Sequence, residues 1–322
     1  MLWVTLGLIA TLLVVDAVIR ALAVTTILPI FERKPPFGVK PASRPAEGEE
    51  VRFPTTDGLT LAGSLYRHKD RASLGTIIFC SELDGSHWAA MSYAAGLWNA
   101  GFDLFAFDCR NQGDSEAMPG YKPLHWLTEY EVDDALAAVD FVKQHPDLDA
   151  TRLGAFGVSR GGGAALAIAA RRPEVTCAAC EGVFSTESLL THYTVRWAAL
   201  YIPVWMVDLI PVWHLRSTFV LVRWISQWRR NCRYTKLERL LARLRGRPIL
   251  VIAGKQDTYV HPHVSLQIRD RIGSESAEFW LVPDARHNGA RDVHPETYDQ
   301  KLAEFFMRAF EHAPPARTQE VA

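Results

Sequence analysis

A serine between two glycines is the first candidate for chemistry in this chain of 322 residues. Gly157, Ser159 and Gly161 fit the pattern G-x-S-x-G, and an aliphatic run over residues 153–158 precedes the serine. In such a turn a strand passes abruptly into a helix, which strains the backbone of the serine and brings the two glycines close together. The hydroxyl then stands exposed at the positive end of the helix. The pattern also fits an ordinary glycine-rich turn, so its chemistry depends on partners.

A serine hydroxyl becomes a nucleophile near neutral pH only with a base that takes its proton and a third group that orients the base. Two candidates follow predicted strands further along the chain. Residues 247–254 are a short aliphatic run that ends just before Asp257, and residues 277–283 are a second run that ends before His287. Ser159, Asp257 and His287 are therefore the candidates for the nucleophile, the orienting acid and the base of an acyl-transfer site.

The chain order of this triad resembles that of the α/β-hydrolase superfamily, whose esterases and lipases are serine hydrolases. Residues 102–115 are similar to the D-x-R-G-x-G-x-S loop of that family, with Asn111 where glycine is usual. Residues 75–80 resemble the strand before the oxyanion loop. The resemblance covers about residues 51–311 and implies an α/β fold with a mostly parallel sheet flanked by helices. It also implies chemistry without a metal or an organic cofactor.

The predicted oxyanion loop departs from the family pattern. Where the family often has His-Gly, this chain has Ser81 and Glu82. Acyl transfer needs two backbone N–H donors for the developing oxyanion, and each donor can lower the barrier by ~3 kcal/mol. By resemblance, Arg160 supplies the first donor and Leu83, or failing that Glu82, supplies the second. A Glu82 carboxylate turned into the pocket would oppose negative charge, and we expect it instead to face solvent or to pair with a cation.

Composition argues against several other classes of protein. The formal net charge of −1 does not fit a nucleic-acid binder. The sequence has no GKS/T phosphate loop, no G-x-G-x-x-G and no internal repeat, so nothing calls for a nucleotide cofactor. Cys177 and Cys180 lie in an apolar strand-like run, where C-x-x-C side chains point to opposite faces, which favours packing over redox or zinc chemistry. His261 and His263 have no Cys/His/Asp cluster that completes a metal site.

The first 31 residues are almost wholly apolar and are interrupted only by Asp16 and Arg20. These two residues are four apart, so on one face of a helix they can partly neutralise each other. A helix of this length exceeds the roughly twenty residues that cross a bilayer, which favours a membrane anchor. The alternatives are a cleaved signal peptide with a site near residues 21–23 and a packed core helix. No Lys or Arg precedes the apolar run, which argues against the signal peptide.

Charges that flank the apolar segment give an orientation. Arg33, Lys34 and Lys40 follow it, and the positive-inside tendency would leave them on the cytoplasmic side. This predicts a single-pass N-terminal anchor with a cytoplasmic catalytic domain. An exported domain, released after signal cleavage, is the alternative.

Residues 185–246 interrupt the hydrolase pattern and are expected to form a helical cap, the kind of insertion that shapes a substrate pocket. Basic residues outnumber acidic ones in this segment, which also holds half of the ten tryptophans: Trp197, Trp205, Trp213, Trp224 and Trp228. An apolar, indole-rich and cationic surface can lie at a lipid headgroup boundary. The alternative is a lid that packs on the hydrolase. Both allow a lipophilic substrate.

These patterns predict a membrane-associated serine hydrolase that cleaves carboxylic ester or thioester bonds of apolar acyl groups. The expected partners are a small-molecule or lipid acyl substrate and the membrane. A peptidase or an acyltransferase would use the same triad, and a catalytically weak lipid-binding or interaction module is the alternative from another class. The predicted segments are an anchor or signal (1–31), a linker (32–50), the first part of the hydrolase core (51–184), the cap (185–246), the second part of the core (247–312) and a flexible tail (313–322).

Overall fold

The structure is a computed structural model that describes residues 2–35, 39–40, 43–201, 205 and 211–311, with backbone alone for residues 194–201, 212 and 215. The chain forms two compact units. We call them the helical unit, Met1–Pro36 with Leu190–Cys232, and the sheet unit, Phe37–Leu189 with Arg233–Ala322. The predicted tail over residues 313–322 lies outside the described residues.

An eight-stranded sheet forms the centre of the described part of the sheet unit. Its strands are β1 (Glu49–Pro54), β2 (Thr60–Tyr66), β3 (Thr76–Cys80), β4 (Asp103–Phe107), β5 (Leu153–Val158), β6 (Val175–Glu181), β7 (Ile249–Gly254) and β8 (Ala277–Val282). The spatial order is β1-β2-β4-β3-β5-β6-β7-β8. Strand β2 pairs antiparallel with β1 and β4, and all the other pairs are parallel. The predicted α/β-hydrolase fold with a mostly parallel sheet is confirmed.

Helices cover both faces of this sheet. They are α2 (Ala90–Ala100), α3 (Glu129–Gln144), α4 (Arg160–Arg171), α7 (Leu237–Leu241), α8 (Pro262–Ile272), α9 (Ala290–Val293) and α10 (Pro295–Glu311). Helices α3, α4, α7 and α8 contribute to the core on one face, and α2, α9 and α10 contribute to the core on the other. Strands covered on both faces read as continuous apolar runs, which is why β3, β4, β5 and β7 are buried at every residue.

The two cysteines of the C-x-x-C spacing lie on opposite faces of β6, as predicted. Cys180 packs in the core with α4, whereas Cys177 packs in the core with α2. Both side chains are fully buried, and burial raises the pKa of both thiols. A thiol held neutral in an apolar core is a packing residue rather than a redox group.

The helical unit contains α1 (Leu2–Phe31) and α6 (Val212–Arg230), and α5 (Thr186–Tyr201) enters it from the sheet unit. The predicted apolar N-terminal helix is present as α1. All described residues before Asp16 are exposed, whereas Val24, Leu28 and Phe31 are buried. The helical unit takes in most of the predicted cap over residues 185–246, but residues 185–189 and 233–246 group with the sheet unit.

Candidate active site

The serine of the G-x-S-x-G motif lies at the junction of β5 and α4, with φ of 55° and ψ of −121°. Few non-glycine residues adopt a positive φ, so this backbone is strained. A Cβ atom on Gly157 would lie 2.2 Å from the carbonyl oxygen of Gly161, and one on Gly161 would lie 2.1 Å from that of Cys80. The turn therefore requires glycine at both positions, as the motif predicts.

The structure brings the three predicted triad residues together in a chain of hydrogen bonds. Oγ of Ser159 lies 3.0 Å from Nε2 of His287, and Nδ1 of His287 lies 2.6 Å from Oδ2 of Asp257. A carboxylate can only accept, so the proton on this ring belongs to Nδ1 and Nε2 is free to accept from the serine hydroxyl. The arrangement has the geometry of a nucleophile, a base and the group that orients the base.

Asp257 is fixed by the loop that follows β7. Its Oδ1 accepts hydrogen bonds from the backbone N–H groups of Tyr259 and Val260, at 2.9 and 2.8 Å. The side chain is almost completely buried. Two backbone donors and the imidazole together compensate the carboxylate for its loss of water.

Glu181, at the end of β6, holds the loop that carries His287 and was missed by the sequence analysis. Its Oε1 accepts from the N–H of Ala290 at 2.9 Å, and its Oε2 accepts from the hydroxyl of Tyr298 at 2.7 Å. The side chain is 1% exposed, and burial raises the pKa of its carboxyl. An acidic residue that closes an otherwise apolar strand was the signal available in the sequence.

The two predicted oxyanion donors lie on segments that the sheet brings together. Gly161 lies in the first turn of α4, close to the carbonyl oxygens of Cys80 and Ser81. The oxyanion loop begins at these two residues. The N–H of Arg160 belongs to the first residue of α4, so it has no carbonyl partner within the helix. Leu83 lies two residues beyond Ser81 and is buried. The assignment of these two N–H groups to the oxyanion stays a prediction.

The side chain of Glu82 neither faces solvent nor forms an ion pair among the described residues, contrary to our expectation. It is 6% exposed, and its Oε1 accepts from the hydroxyl of Tyr93 at 2.8 Å. Burial raises the pKa of this carboxyl, because the charged form is poorly solvated there. A carboxyl biased toward its neutral form opposes an oxyanion less than a carboxylate would.

Arg160 has a second role through its side chain, which the sequence analysis did not foresee. The buried guanidinium donates to the carbonyl of Leu124 at 3.0 Å and to Oε1 of Glu131 at 3.3 Å. Glu131 also accepts from the backbone N–H and the hydroxyl of Thr128, at 2.8 and 2.6 Å, within a capping box that begins α3. The ion pair therefore ties the start of α4 to the start of α3.

The loop similar to D-x-R-G-x-G-x-S is built around a buried arginine. Arg110 donates to Asp134 through Nε at 2.9 Å and Nη2 at 2.6 Å, and to Asp57 through Nη1 at 2.6 Å. Asn111, where the family has glycine, adopts a φ of 61°. Asparagine tolerates this left-handed backbone better than most residues, because its short amide can bond locally. Here the amide donates to the carbonyls of Met118 and Tyr121, both at 3.0 Å.

Some known proteins are similar to this chain in sequence, and others are similar in fold. Thiohydrolase aneE of Aspergillus aculeatus is 32% identical over 121 residues, which make up 37% of this chain and 36% of that protein. The YfhR protein of Escherichia coli is 26% identical over 275 residues, 82% of each chain. The esterase Pf2001 of Pyrococcus furiosus has a TM-score of 0.59 at 21% identity, over 84% of this chain and 99% of that protein.

A sequence model of the prolyl oligopeptidase family matches residues 125–313. This range covers more than half of the chain and contains Ser159, Asp257 and His287. The chain therefore belongs to the prolyl oligopeptidase family and is a hydrolase of the α/β-hydrolase superfamily.

Proposed function

We propose that this protein is a serine hydrolase that cleaves carboxylic esters or thioesters through an acyl-enzyme. The observation that carries the proposal is the pair of hydrogen bonds, at 3.0 and 2.6 Å, that joins Ser159 to His287 and His287 to Asp257. In these bonds the serine hydroxyl contacts one nitrogen of the imidazole, and the aspartate carboxylate contacts the other. Ser159 itself occupies a strained turn. Strain of this kind costs stability and concentrates at functional sites.

The proposed cycle has two steps of the same kind. Nε2 of His287 takes the proton of Ser159 as Oγ attacks the acyl carbon, and the N–H groups of Arg160 and Leu83 donate to the oxyanion. The imidazolium, stabilised by Asp257, returns this proton to the alkoxide or thiolate that leaves, which gives the free alcohol or thiol and an acyl-serine. Water then attacks the acyl carbon, the histidine again takes a proton, and Ser159 regains its hydrogen as the carboxylic acid departs.

Aromatic side chains beside the triad support an apolar acyl group. The centroid of the Tyr259 ring lies 5.2 Å from the centroid of the His287 ring. Measured between ring centroids, Phe184 lies 6.4 Å from Tyr259, and Trp126 lies 6.2 Å from Phe184. Such rings offer large apolar area with few rotatable bonds. The similarity to a thiohydrolase and to an esterase supports ester or thioester bonds over peptide bonds as the substrate.

A fluorophosphonate probe tests the catalytic proposal. The purified protein should be labelled stoichiometrically, and mass spectrometry should locate the adduct on Ser159. Folded protein that takes up no label would favour the alternative, a lipid-binding module without catalysis. A parallel screen of nitrophenyl esters, acyl thioesters and peptide anilides with graded acyl lengths would identify the bond that is cleaved. Faster cleavage of the anilides than of the esters would assign a peptidase instead.

We also propose that α1 is retained as a membrane anchor, with the sheet unit on the cytoplasmic side. Helix α1 has 30 residues, and its most apolar window has a mean hydropathy of 2.3 and no buried residues. Within the helical unit, Asp16 bonds to Nε2 of His214 and Arg20 donates to Oγ of Ser217, both at 2.7 Å. Signal cleavage near residues 21–23 would remove both contacts, which supports retention of the helix. The basic residues Arg33 and Lys34 support the orientation.

A further inference from the structure

Three side chains of types that can bind a metal ion, none of them a member of the proposed triad, lie close together. His87 begins the 3₁₀ helix His87–Ala89, which follows the oxyanion loop. Asp108 follows β4, and Asp114 lies further along the same loop. Nε2 of His87 lies 3.8 Å from Oδ2 of Asp108 and 3.6 Å from Oδ2 of Asp114. One ligand atom from each residue can be chosen so that all three lie within 4.8 Å of one another.

The imidazole of His87 lacks the partners that a buried polar group needs. The residue is 0% exposed, and neither Nδ1 nor Nε2 forms a hydrogen bond with any residue that the structure describes. Most buried side-chain polar atoms in native proteins have such a partner, because an unpaired one loses its bonds to water without replacement. Since Nε2 is directed at two carboxylates, the missing partner belongs between them.

In the described part of the chain, the basic side chain that lies beside these two carboxylates is that of His87 itself. Neither Asp108 nor Asp114 forms an ion pair with Lys or Arg there. Asp108 is completely buried, and its oxygens accept from the backbone N–H groups of His87 at 2.6 Å and Asp114 at 2.9 Å. These bonds fix the orientation of the carboxylate. They supply partial positive charge, but they do not neutralise two acidic groups this close together.

We propose that His87, Asp108 and Asp114 bind one divalent transition-metal ion, with Zn²⁺ as the ion that their chemistry fits. Zinc is bound by histidine nitrogen and carboxylate oxygen at about 2.0–2.2 Å, which in a tetrahedron separates the ligands by roughly 3.3–3.6 Å. The observed 3.6 and 3.8 Å lie close to this range. Mg²⁺ and Ca²⁺ prefer oxygen ligands alone. Asp114 is exposed, so water can complete the coordination.

The ion would have a structural role beside the oxyanion loop. It would join the 3₁₀ helix that follows this loop to the loop that follows β4. The same two loops are already joined where the N–H of Asp84 donates to Oε1 of Gln112 at 3.0 Å. Residues 81–86, which contain the predicted donor Leu83, would thereby be fixed within the segment at Asp84 and directly after it at His87. The proposal does not depend on the triad, because no step of acyl transfer uses the ion.

Metal binding to the full chain tests this proposal. After treatment with EDTA and dialysis, the protein should take up one Zn²⁺ per chain by elemental analysis, and Zn²⁺ should raise its Tm. Co²⁺ in place of Zn²⁺ should give the visible absorption of a bound, low-symmetry site. Asp114→Asn should weaken Zn²⁺ binding at least tenfold while leaving the fold intact, because this side chain is 58% exposed.

Two matched variants keep the test specific. Asp270→Asn removes a carboxylate that is also 58% exposed, on α8, and should leave Zn²⁺ affinity unchanged. His263→Asn disrupts the separate His261–His263 pair, whose Nδ1 atoms lie 2.7 Å apart and which could take up metal by itself. Binding that survives Asp114→Asn, that disappears with His263→Asn, or that is absent from the wild-type chain at micromolar Zn²⁺ would overturn the proposal.

Discussion

Glu131 accepts a hydrogen bond at 3.3 Å from Nη1 of Arg160, the residue that follows Ser159, and both side chains are almost completely buried. The turn that presents the serine therefore rests on an ion pair from another helix. Glu131 also accepts a short hydrogen bond from the hydroxyl of Tyr121 and two from Thr128. One carboxylate thus satisfies a guanidinium, two hydroxyls and a backbone N–H.

Removing this carboxylate should destabilise the protein strongly. We expect Glu131→Ala to lower the free energy of unfolding by about 3–5 kcal/mol, because it leaves a buried guanidinium without its counter-charge. Glu129→Ala is the matched control on the same helix. Its ion pair with Arg171 is partly exposed on both sides, so we expect a loss of about 0–1 kcal/mol. Urea denaturation of the two variants measures the difference, and equal losses would contradict the structural role of Glu131.

Ser159→Ala should abolish acyl hydrolysis and leave the stability of the protein nearly unchanged. The hydroxyl bonds to His287 but is not needed for packing, and alanine has the same backbone strain as serine at a φ of 55°. Ser159→Gly should also be inactive, and more stable than Ser159→Ala by about 1 kcal/mol, because glycine adopts this backbone without strain. Initial rates and thermal denaturation check both variants. Near-normal turnover by either folded variant would remove Ser159 from the triad.

Asp257 and Asp284 are the two candidates for the acid of the triad, and the structure favours Asp257. Both lie in loops near His287, but only Asp257 contacts the imidazole, whereas Asp284 accepts from Nε2 of Gln256 at 3.0 Å and is exposed. We expect Asp257→Ala to lower kcat/KM about 10⁴-fold, because the histidine loses its orienting partner, and Asp284→Ala to lower it less than tenfold. The reverse order of rates would assign the acid to Asp284.

The sequence predicts where the strands lie and which residues follow them, because both depend on local patterns. Apolar runs mark β5, β7 and β8, and a residue that follows a parallel strand must lie at one edge of the sheet, where Ser159, Asp257 and His287 meet. Local patterns mark two buried carboxyl groups, an acidic residue at the end of β6 and a capping box at the start of α3, but they do not identify the distant partners of these groups. Glu131 and Glu181 find their partners 29 and 117 residues away. Only the tertiary fold brings these partners together. From the local sequence alone, both glutamates would be expected at the surface, where glutamates usually lie.

Glu181 should make stability depend on pH. Burial raises its folded-state pKa above the usual value of 4.5. Below that value the carboxyl is protonated in both states, and as the pH rises the unfolded chain ionises first, so stability is lost until the pH exceeds the folded-state pKa. Glu181→Gln mimics the protonated form. We therefore expect the free energy of unfolding of the variant to rise relative to that of the wild type from pH 4.5 up to the folded-state pKa, by about 1.4 kcal/mol for each unit of raised pKa.

Urea denaturation across this pH range measures the gain, and Glu278→Gln is the control. The carboxylate of Glu278 is exposed at β8 and pairs with Arg308, so it experiences no comparable burial. A constant difference between Glu181→Gln and the wild type at all pH values would show that Glu181 is ionised in the folded protein.

Residues 2–15 of α1 should be required to hold the protein on a membrane. All of them are exposed, and they extend about 21 Å as a helix, whereas Asp16 and Arg20 form hydrogen bonds with α6. Deleting residues 2–15 should therefore release the protein from the bilayer and preserve the contacts of Asp16 and Arg20. High salt should not extract the intact chain, because burial of apolar residues does not depend on screening.

The protein that lacks residues 2–15 should keep a weak, salt-sensitive preference for anionic vesicles. Helix α6 exposes Trp213, Trp224 and Trp228 beside basic residues, and each Lys or Arg near an anionic surface contributes roughly 1 kcal/mol to binding. Cosedimentation at low and high salt measures this preference. Salt-resistant binding that is lost when the three tryptophans are replaced by alanine would show that α6 itself inserts into the lipid. If the full-length gene yields soluble protein whose N-terminus lies near Val24, the N-terminal segment has been cleaved as a signal peptide. This result would contradict the anchor.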